Sequence, residues 1–152
     1  MLELWTDGGV IQVNPSPVGL VWSWVLIEDG KLSACDWGKL TPEEIGMPTC
    51  SNNNAELYAA VRGLEYMEDC SAFTWYTDSQ VTIRRLTERT KMKGVPEWLA
   101  LRTKALRRDW NVVLVAGHPT KAELKAGKAN RNGHMVSKWN KLVDELCGRA
   151  KG

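Results

Sequence analysis

The chain has 152 residues, of which 43% are hydrophobic and 25% charged, values typical of one globular domain that needs no disulfide bonds. Its four cysteines form no CxxC pair and it has only two histidines, which argues against a zinc site. No signal peptide precedes Leu2 and no apolar run is long enough to span a bilayer. We therefore expect a cytoplasmic protein with no membrane partner.

The net charge of +2 conceals an uneven distribution of charge along the chain. Residues up to Asp78 include 3 Lys/Arg and 12 Asp/Glu, a net charge of −9, whereas those from Ser79 onward include 17 and 6, a net charge of +11. Charge asymmetry between halves suggests a polyanionic partner. A solvated surface on which the charges intermix after folding explains the asymmetry equally well.

The first third of the chain reads as three strands joined by short turns. Strands are predicted over residues 2–6, 18–27 and 31–40, with turn signals at Asn14–Pro17 and Glu28–Gly30. The middle segment is apolar on both alternating faces, which is typical of a central strand. Short connections make the three strands antiparallel. A loop over 41–51 then leads to a helix on which apolar residues recur at helical spacing: Leu57, Ala60, Val61, Leu64 and Met67.

The rest of the chain alternates between strands and helices. The predicted elements are a strand over 73–77, a helix from Ser79 to Leu86, a basic loop over 87–95, a helix over 96–108, an apolar strand over 112–116, a polar loop over 118–133 and a final helix over 135–147. This order predicts a mixed α/β sheet with helices on its faces. In such sheets, function gathers at the carboxyl ends of strands.

Four carboxylates occupy positions from which they can meet at one sheet edge. Asp7 and Asp78 each follow a predicted strand, and parallel neighbouring strands about 4.8 Å apart would let both reach one cation. Each carboxylate also has an ordinary alternative. Asp7 suits a turn, Asp78 suits a helix N-cap, Glu56 suits a capping box with Asn53 as N-cap, and Asp144 suits the border of an amphipathic helix.

Taken in order, the motifs TDGG, NPSPVG, NNNAEL, YTDSQ, VAGH and NKLVDEL resemble those of type 1 ribonuclease H. They extend over nearly the whole chain, from Trp5 to Cys147. The resemblance implies a ribonuclease H-like α/β fold: a five-stranded mixed sheet, three strands antiparallel and then two parallel, with helices on both faces. It also implies a single domain over residues 1–152, here with a basic insertion over 119–134.

The resemblance further implies an endoribonuclease that hydrolyses the RNA strand of RNA–DNA hybrids and leaves 5′-phosphate and 3′-hydroxyl ends. Such a site holds two Mg²⁺ ions, with Mn²⁺ as the alternative. Asp7 would bridge both ions, Asp144 would help hold the ion that activates water, and Glu56 and Asp78 would hold the ion at the leaving oxygen. His118 matches a family histidine that assists proton transfer or product departure, the alternative being a loop histidine without a role.

Amide side chains are the candidates for substrate recognition. Asn14, Asn52, Asn53 and Gln80 match family positions that contact the minor groove and backbone of the hybrid, where amides can read the 2′-hydroxyl of RNA. Turn and cap roles compete with this interpretation for the three asparagines. Weaker candidates are basic, and they lie after the fourth strand and in the insertion: Arg84, Arg85, Lys91, Lys93, Lys121, Lys125 and Lys128. Two alternatives remain for the basic insertion over 119–134: a substitute arm that binds phosphates, or a solvated loop.

Two other functions fit the same fold. A non-catalytic module that binds hybrids would be expected to have lost a metal ligand, whereas all four carboxylates are present. Another nuclease of this fold, such as a junction resolvase, would lack the pairing of NNNAEL with TDSQ. The expected partner is an RNA–DNA hybrid, and the protein is expected to act as a monomer.

Overall fold

The computed structural model describes residues 1–70, 72–117 and 137–152. Its strands are β1 (Leu2–Val10), β2 (Leu20–Glu28), β3 (Lys31–Leu40), β4 (Thr74–Thr77) and β5 (Val112–Leu114). Its helices, within those residues, are α1 (Pro42–Ile45), α2 (Asn52–Tyr66), α3 (Gln80–Thr87), α4 (Glu97–Leu106) and α5 (Lys138–Ala150). None of the helices in the described ranges is long and apolar enough to cross a membrane.

The strands form one five-stranded sheet in the order β3-β2-β1-β4-β5. The pairs β1–β2 and β2–β3 are antiparallel, whereas β1–β4 and β4–β5 are parallel. The predicted mixed sheet is confirmed, and β1 lies at its centre. Because β1 and β4 run in the same direction, their carboxyl ends meet at one edge.

Helices cover both faces of the sheet because its central strands are apolar on both sides. Leu4 and Trp75 belong to the core cluster beneath α2 and α4, whereas Trp5 and Val25 belong to the cluster beneath α5. Successive residues of β1 therefore point into opposite cores, as the pleat of a strand requires. The Trp5 indole stacks on Tyr76 at 4.2 Å between ring centroids, which joins β1 to β4 on the α5 face.

The first strand differs from its prediction. We expected it to end at Thr6 and to turn on the two glycines, but β1 continues to Val10, and Asp7 pairs with Ser23 inside the ladder. A Cβ atom on Gly8 would lie 2.4 Å from the carbonyl carbon of Ala55. Close approach of α2, and not a turn, therefore requires glycine at position 8.

Smaller differences concern the ends of elements. The predicted loop over 41–51 contains α1, whose capping box joins Thr41 and Glu44. The final helix starts at Lys138, capped by Ser137, rather than at Met135. The last strand ends at Leu114, two residues earlier than predicted. The predicted polar loop over 118–133 lies outside the described residues.

Candidate active site

Three of the four predicted carboxylates meet at the carboxyl edge of β1 and β4. Asp7, Glu56 and Asp78 each offer an oxygen atom, and these atoms all lie within 4.8 Å of one another. They come from three different elements: the interior of β1, the second turn of α2 and the residue that follows β4. The parallel register of β1 with β4 brings Asp7 alongside Asp78. The predicted convergence is therefore present for these three residues.

The capping-box interpretation of Glu56 is wrong. Ser51 is the N-cap of α2, and its Oγ accepts a hydrogen bond from the Asn54 amide at 3.1 Å. Glu56 consequently lies beyond the capping position, and its Oε1 accepts a hydrogen bond from the Gly8 amide at 2.8 Å. Its Oε2 is buried without a hydrogen-bond partner among the residues described. A buried carboxylate oxygen that lacks a protein donor is available to a cation.

Asp78 is not the cap of the helix that follows it. Ser79 is the N-cap of α3, and its Oγ accepts a hydrogen bond from the Thr82 amide at 3.2 Å. The N-cap alternative for Asp78 is therefore wrong, and its position is explained by the site it lines. Asp78 faces the cleft together with Asp7 and Glu56.

Asp144 lines the same cleft from the opposite face of the sheet. The buried side chains of α5 are Asn140, Val143, Leu146 and Cys147. The helix therefore packs Val143 and Leu146 most deeply against the sheet, with Trp139 and Leu142 partly buried beside them. Two contacts hold it there. The Ser23 hydroxyl donates to the Val143 carbonyl at 2.7 Å, and the Cys147 thiol donates to the Asp7 carbonyl at 3.5 Å.

The electrostatics of the cluster favour a bound cation. Burial raises the pKa of the Asp7 carboxyl well above its ordinary value, and the charges of Asp78 and Asp144 raise this pKa further. Burial also raises the pKa of Glu56, with a further contribution from Asp7. Clustered buried carboxylates are stabilised by protonation or by a metal ion. A donor set made only of carboxylate oxygens suits a hard divalent cation.

The cleft around the carboxylates has a volume of about 790 Å³ and is lined by all four predicted amide residues: Asn14, Asn52, Asn53 and Gln80. All four are exposed to solvent. Asn14 has a structural role as well, because its Oδ1 accepts a hydrogen bond from the Asn52 amide at 3.0 Å. This bond attaches the loop between β1 and β2 to the first residue of α2.

The structure does not bring the basic candidates after β4 to this cleft. None of Arg84, Arg85, Lys91 and Lys93 is among the described residues that line it. Lys91 instead lines a separate depression of about 640 Å³ beside Lys104. His118 and the insertion residues Lys121, Lys125 and Lys128 lie outside the described residues, so their roles stay predictions.

Sequence reasoning missed several residues that line the cleft. Gln12 lies in the β1–β2 loop, two residues after β1, with a left-handed backbone, φ 73°. Cys147 and Gly148 of α5 also line the cleft, as does Lys151, which directly follows the helix. Their spacing of three, four and seven residues from Asp144 places them on the same helix face, and that spacing is visible in the sequence.

The fold and the site together define a class of protein: a metal-dependent nuclease built on a ribonuclease H-like sheet. The central strand carries a carboxylate, the parallel neighbour β4 is followed by a second, and the helices on the two faces contribute one each. This arrangement suits the charge neutralisation that phosphodiester cleavage requires.

Comparisons with known proteins agree with that class. The chain is 33% identical over 160 residues to ribonuclease H of Pseudomonas fluorescens (strain Pf0-1), which covers 97% of this chain and 88% of the relative. It therefore belongs to the ribonuclease H family, and it is a metal-dependent hydrolase. No model of a protein family matches the chain.

Solved structures agree with the fold. The structure of ribonuclease H1 from Halobacterium salinarum superposes with a TM-score of 0.60 at 20% identity, covering 98% of this chain and 96% of that one. A foamy viral protease-reverse transcriptase, solved in complex with an RNA/DNA hybrid, superposes with a TM-score of 0.61 at 14% identity, covering 99% of this chain and 20% of that one. At these identities the likeness concerns the fold alone.

Proposed function

We propose that the protein hydrolyses the RNA strand of RNA–DNA hybrids by two-metal-ion catalysis and leaves 5′-phosphate and 3′-hydroxyl ends. The observation that carries the proposal is the cluster of Asp7, Glu56 and Asp78, whose oxygens lie within 4.8 Å of one another in a cleft lined with amides. Membership of the ribonuclease H family supports the substrate class. The foamy viral neighbour, which was solved with an RNA/DNA hybrid, supports it too.

Each of the four carboxylates is proposed to bind one or both of the ions. When bound, two Mg²⁺ ions would neutralise the scissile phosphate and activate a water molecule. Asp7 interacts with each of the other three carboxylates and is proposed to bind both ions. Glu56 is oriented by the Gly8 amide, which leaves its Oε2 for an ion. Asp78 would share the ion of Glu56, and Asp144 would hold the ion on the α5 side. His118 is proposed to assist proton transfer or product departure.

The amides are proposed to recognise the RNA strand. Asn52, Asn53 and Gln80 are exposed in the cleft beside the carboxylates. Amide groups both donate and accept hydrogen bonds, so they can bind a ribose 2′-hydroxyl, which DNA lacks. Asn14 would act mainly through the hydrogen bond that places Asn52.

Cleavage of an end-labelled RNA–DNA hybrid in Mg²⁺ tests the function. We expect cuts in the RNA strand only, products that a polymerase extends from their 3′-hydroxyl ends, and no cleavage of duplex DNA or of a four-way DNA junction. Cleavage of the junction but not the hybrid would favour a resolvase. Tight binding of the hybrid without cleavage in Mg²⁺ or Mn²⁺ would favour a non-catalytic module.

The ion preference is tested by the same assay together with calorimetry. We expect Mg²⁺ to support cleavage, Mn²⁺ to substitute for it, and two ions to bind per chain when the hybrid is present. Calorimetric titration of the Asp7→Asn variant with the same hybrid is the control. A stoichiometry of one ion in the wild-type complex would contradict the two-ion mechanism.

Basic residues outside the cleft are proposed to contact phosphates of the hybrid. Lys91 is exposed beside Lys104, Arg107 and Arg108. Each phosphate contact that is lost lowers the slope of log K against log salt by about 1. We expect Lys91→Gln to produce this change in a binding titration. Lys31→Gln, which removes the same charge from the start of β3, should leave the slope unchanged. Equal slopes for both variants would exclude Lys91 as a contact.

The insertion lysines are assigned the same role. Replacing Lys121, Lys125 and Lys128 together by Gln should lower that slope by about 3 if each contacts a phosphate.

We also infer that the chain acts as a single-domain monomer of 17.0 kDa in the cytoplasm. Light scattering at the assay concentration measures the molar mass in solution and so tests the monomeric state. A mass of twice 17.0 kDa would contradict it.

A further inference from the structure

Gly117 lies directly against the carboxylate of Asp78. A Cβ atom at position 117 would lie 2.9 Å from Oδ2 of Asp78 and 3.6 Å from its Cγ. The backbone of Gly117 is outside the left-handed region, so the turn itself does not require glycine. What the glycine provides is space beside one carboxylate of the cluster.

Two hydrogen bonds hold the backbone that leads to Gly117. The buried Asn140 side chain donates from Nδ2 to the Ala116 carbonyl. The Val115 amide donates to the Thr77 carbonyl at 2.8 Å, one residue before Asp78. The segment is thus attached to α5 on one side and to the end of β4 on the other. An added methyl group would therefore displace the flexible Asp78 carboxylate rather than the backbone.

We propose that Gly117, held through Asn140, is a positioning residue that determines where the Asp78 carboxylate stands in the metal cluster. Asn140 lies one helical turn before Asp144. The hydrogen bond from Asn140 to Ala116 therefore links the helix that carries Asp144 to the segment that lies against Asp78. The proposal rests on the proposed function, since the placement of Asp78 matters through the ions it binds.

Gly117→Ala tests the proposal by separating metal binding from stability. To reach an ordinary contact distance of about 3.4 Å from the new Cβ atom, the Asp78 oxygen must move by roughly 0.5 Å. A displacement of about 0.5 Å is the limit within which catalytic groups must be held for productive geometry. We expect the melting temperature in EDTA to stay the same or to rise, because alanine restricts the unfolded chain. The Mg²⁺ concentration that gives half of the metal-induced rise in melting temperature should increase about tenfold. The kcat should fall about tenfold, with the KM for the hybrid unchanged.

A double-mutant cycle with Asp78→Asn supplies the control. If Gly117 acts through the Asp78 carboxylate, Gly117→Ala should have no further effect on the Mg²⁺ response in the Asp78→Asn background. The proposal is overturned if Gly117→Ala alone leaves the Mg²⁺ midpoint within about twofold of wild type. It is also overturned if the EDTA melting temperature falls or the variant does not fold, because the role would then be structural. Each of these results leaves wild-type hybrid cleavage, and so the proposed function, unaffected.

Discussion

Asp7→Asn is expected to abolish cleavage of RNA–DNA hybrids while raising the melting temperature of the metal-free protein. Asp7 is 5% exposed, and its carboxylate clusters with those of Glu56 and Asp78. Asparagine has nearly the same shape but no charge, so the proposed shared ion site is lost. We expect kcat to fall by at least about 10³-fold, because metal ions contribute several kcal/mol to such transition states. Burial and the neighbouring charge of Asp78 both oppose ionisation of Asp7, so removing its carboxyl should stabilise the apo fold by about 1 kcal/mol, or ~3 °C.

The stabilisation by Asp7→Asn should depend on pH in a defined direction. The Asp7 pKa is raised on folding, so above the ordinary value of 3.8 the folded carboxyl retains a proton that the unfolded one has lost. Wild-type stability therefore decreases as the pH rises from that value through the raised pKa. The variant lacks this dependence. The difference between the two melting temperatures in EDTA should widen from about pH 4 toward neutrality.

Thermal unfolding with and without Mg²⁺ checks both parts of this prediction. Mg²⁺ should raise the melting temperature of the wild type and leave that of Asp7→Asn almost unchanged. Asp29→Asn is the matched control, because Asp29 is an exposed carboxylate that pairs with the N-terminus in the β2–β3 hairpin. It should cleave the hybrid like the wild type. Full activity of Asp7→Asn would overturn the site assignment.

Gly8→Ala is expected to be the most destabilising single substitution at the site. The new Cβ would lie 2.4 Å from the Ala55 carbonyl carbon and 2.6 Å from the Glu56 amide nitrogen. Both are backbone atoms, so β1 and α2 must separate. Overpacking of this kind costs about 3 kcal/mol, which corresponds to a fall of ~9 °C in melting temperature. The hydrogen bond from the Gly8 amide to Glu56 would also break, and the Mg²⁺ response should weaken.

The neighbouring glycine offers the control for this substitution. A Cβ on Gly9 would meet only the Cγ2 atom of Val21, at an ordinary contact distance of 3.6 Å. Gly9→Ala should therefore melt within about 2 °C of the wild type, since replacing glycine by alanine in a strand costs little without a clash. Equal melting temperatures for the two variants would show that β1 and α2 can adjust at no cost.

The architecture was predictable because its signals are local. The apolar run at 18–27 indicated a central strand, and residues 31–40 form β3 over the whole predicted range. The boundaries of β1 were not predictable in the same way. The sequence Asp-Gly-Gly is a turn signal in isolation. In the structure, pairing with β2 and packing against α2 outweigh that local preference, so β1 continues to Val10.

The proposed metal ligands were predictable as residue types, but their hydrogen-bond partners were not. Glu56 and Asp78 each occur where a helix begins, so a capping role was as reasonable as a catalytic one. Backbone geometry decides which residue caps each helix. In both helices the cap is a serine and not the acidic residue: Ser51 for α2 and Ser79 for α3. The carboxylates are thereby left for the cleft.

The sequence by itself determined the order of elements apart from the short α1, the four acidic residues and the family they indicate, because periodicity and motif spacing are properties of the chain. Only the tertiary structure decided that Gly8 makes room for α2, that Gly117 makes room for Asp78, and that Asn140 links α5 to the end of β5. These are contacts between residues distant in sequence. Their physical basis is the close packing of backbone and side-chain atoms, which no local pattern encodes.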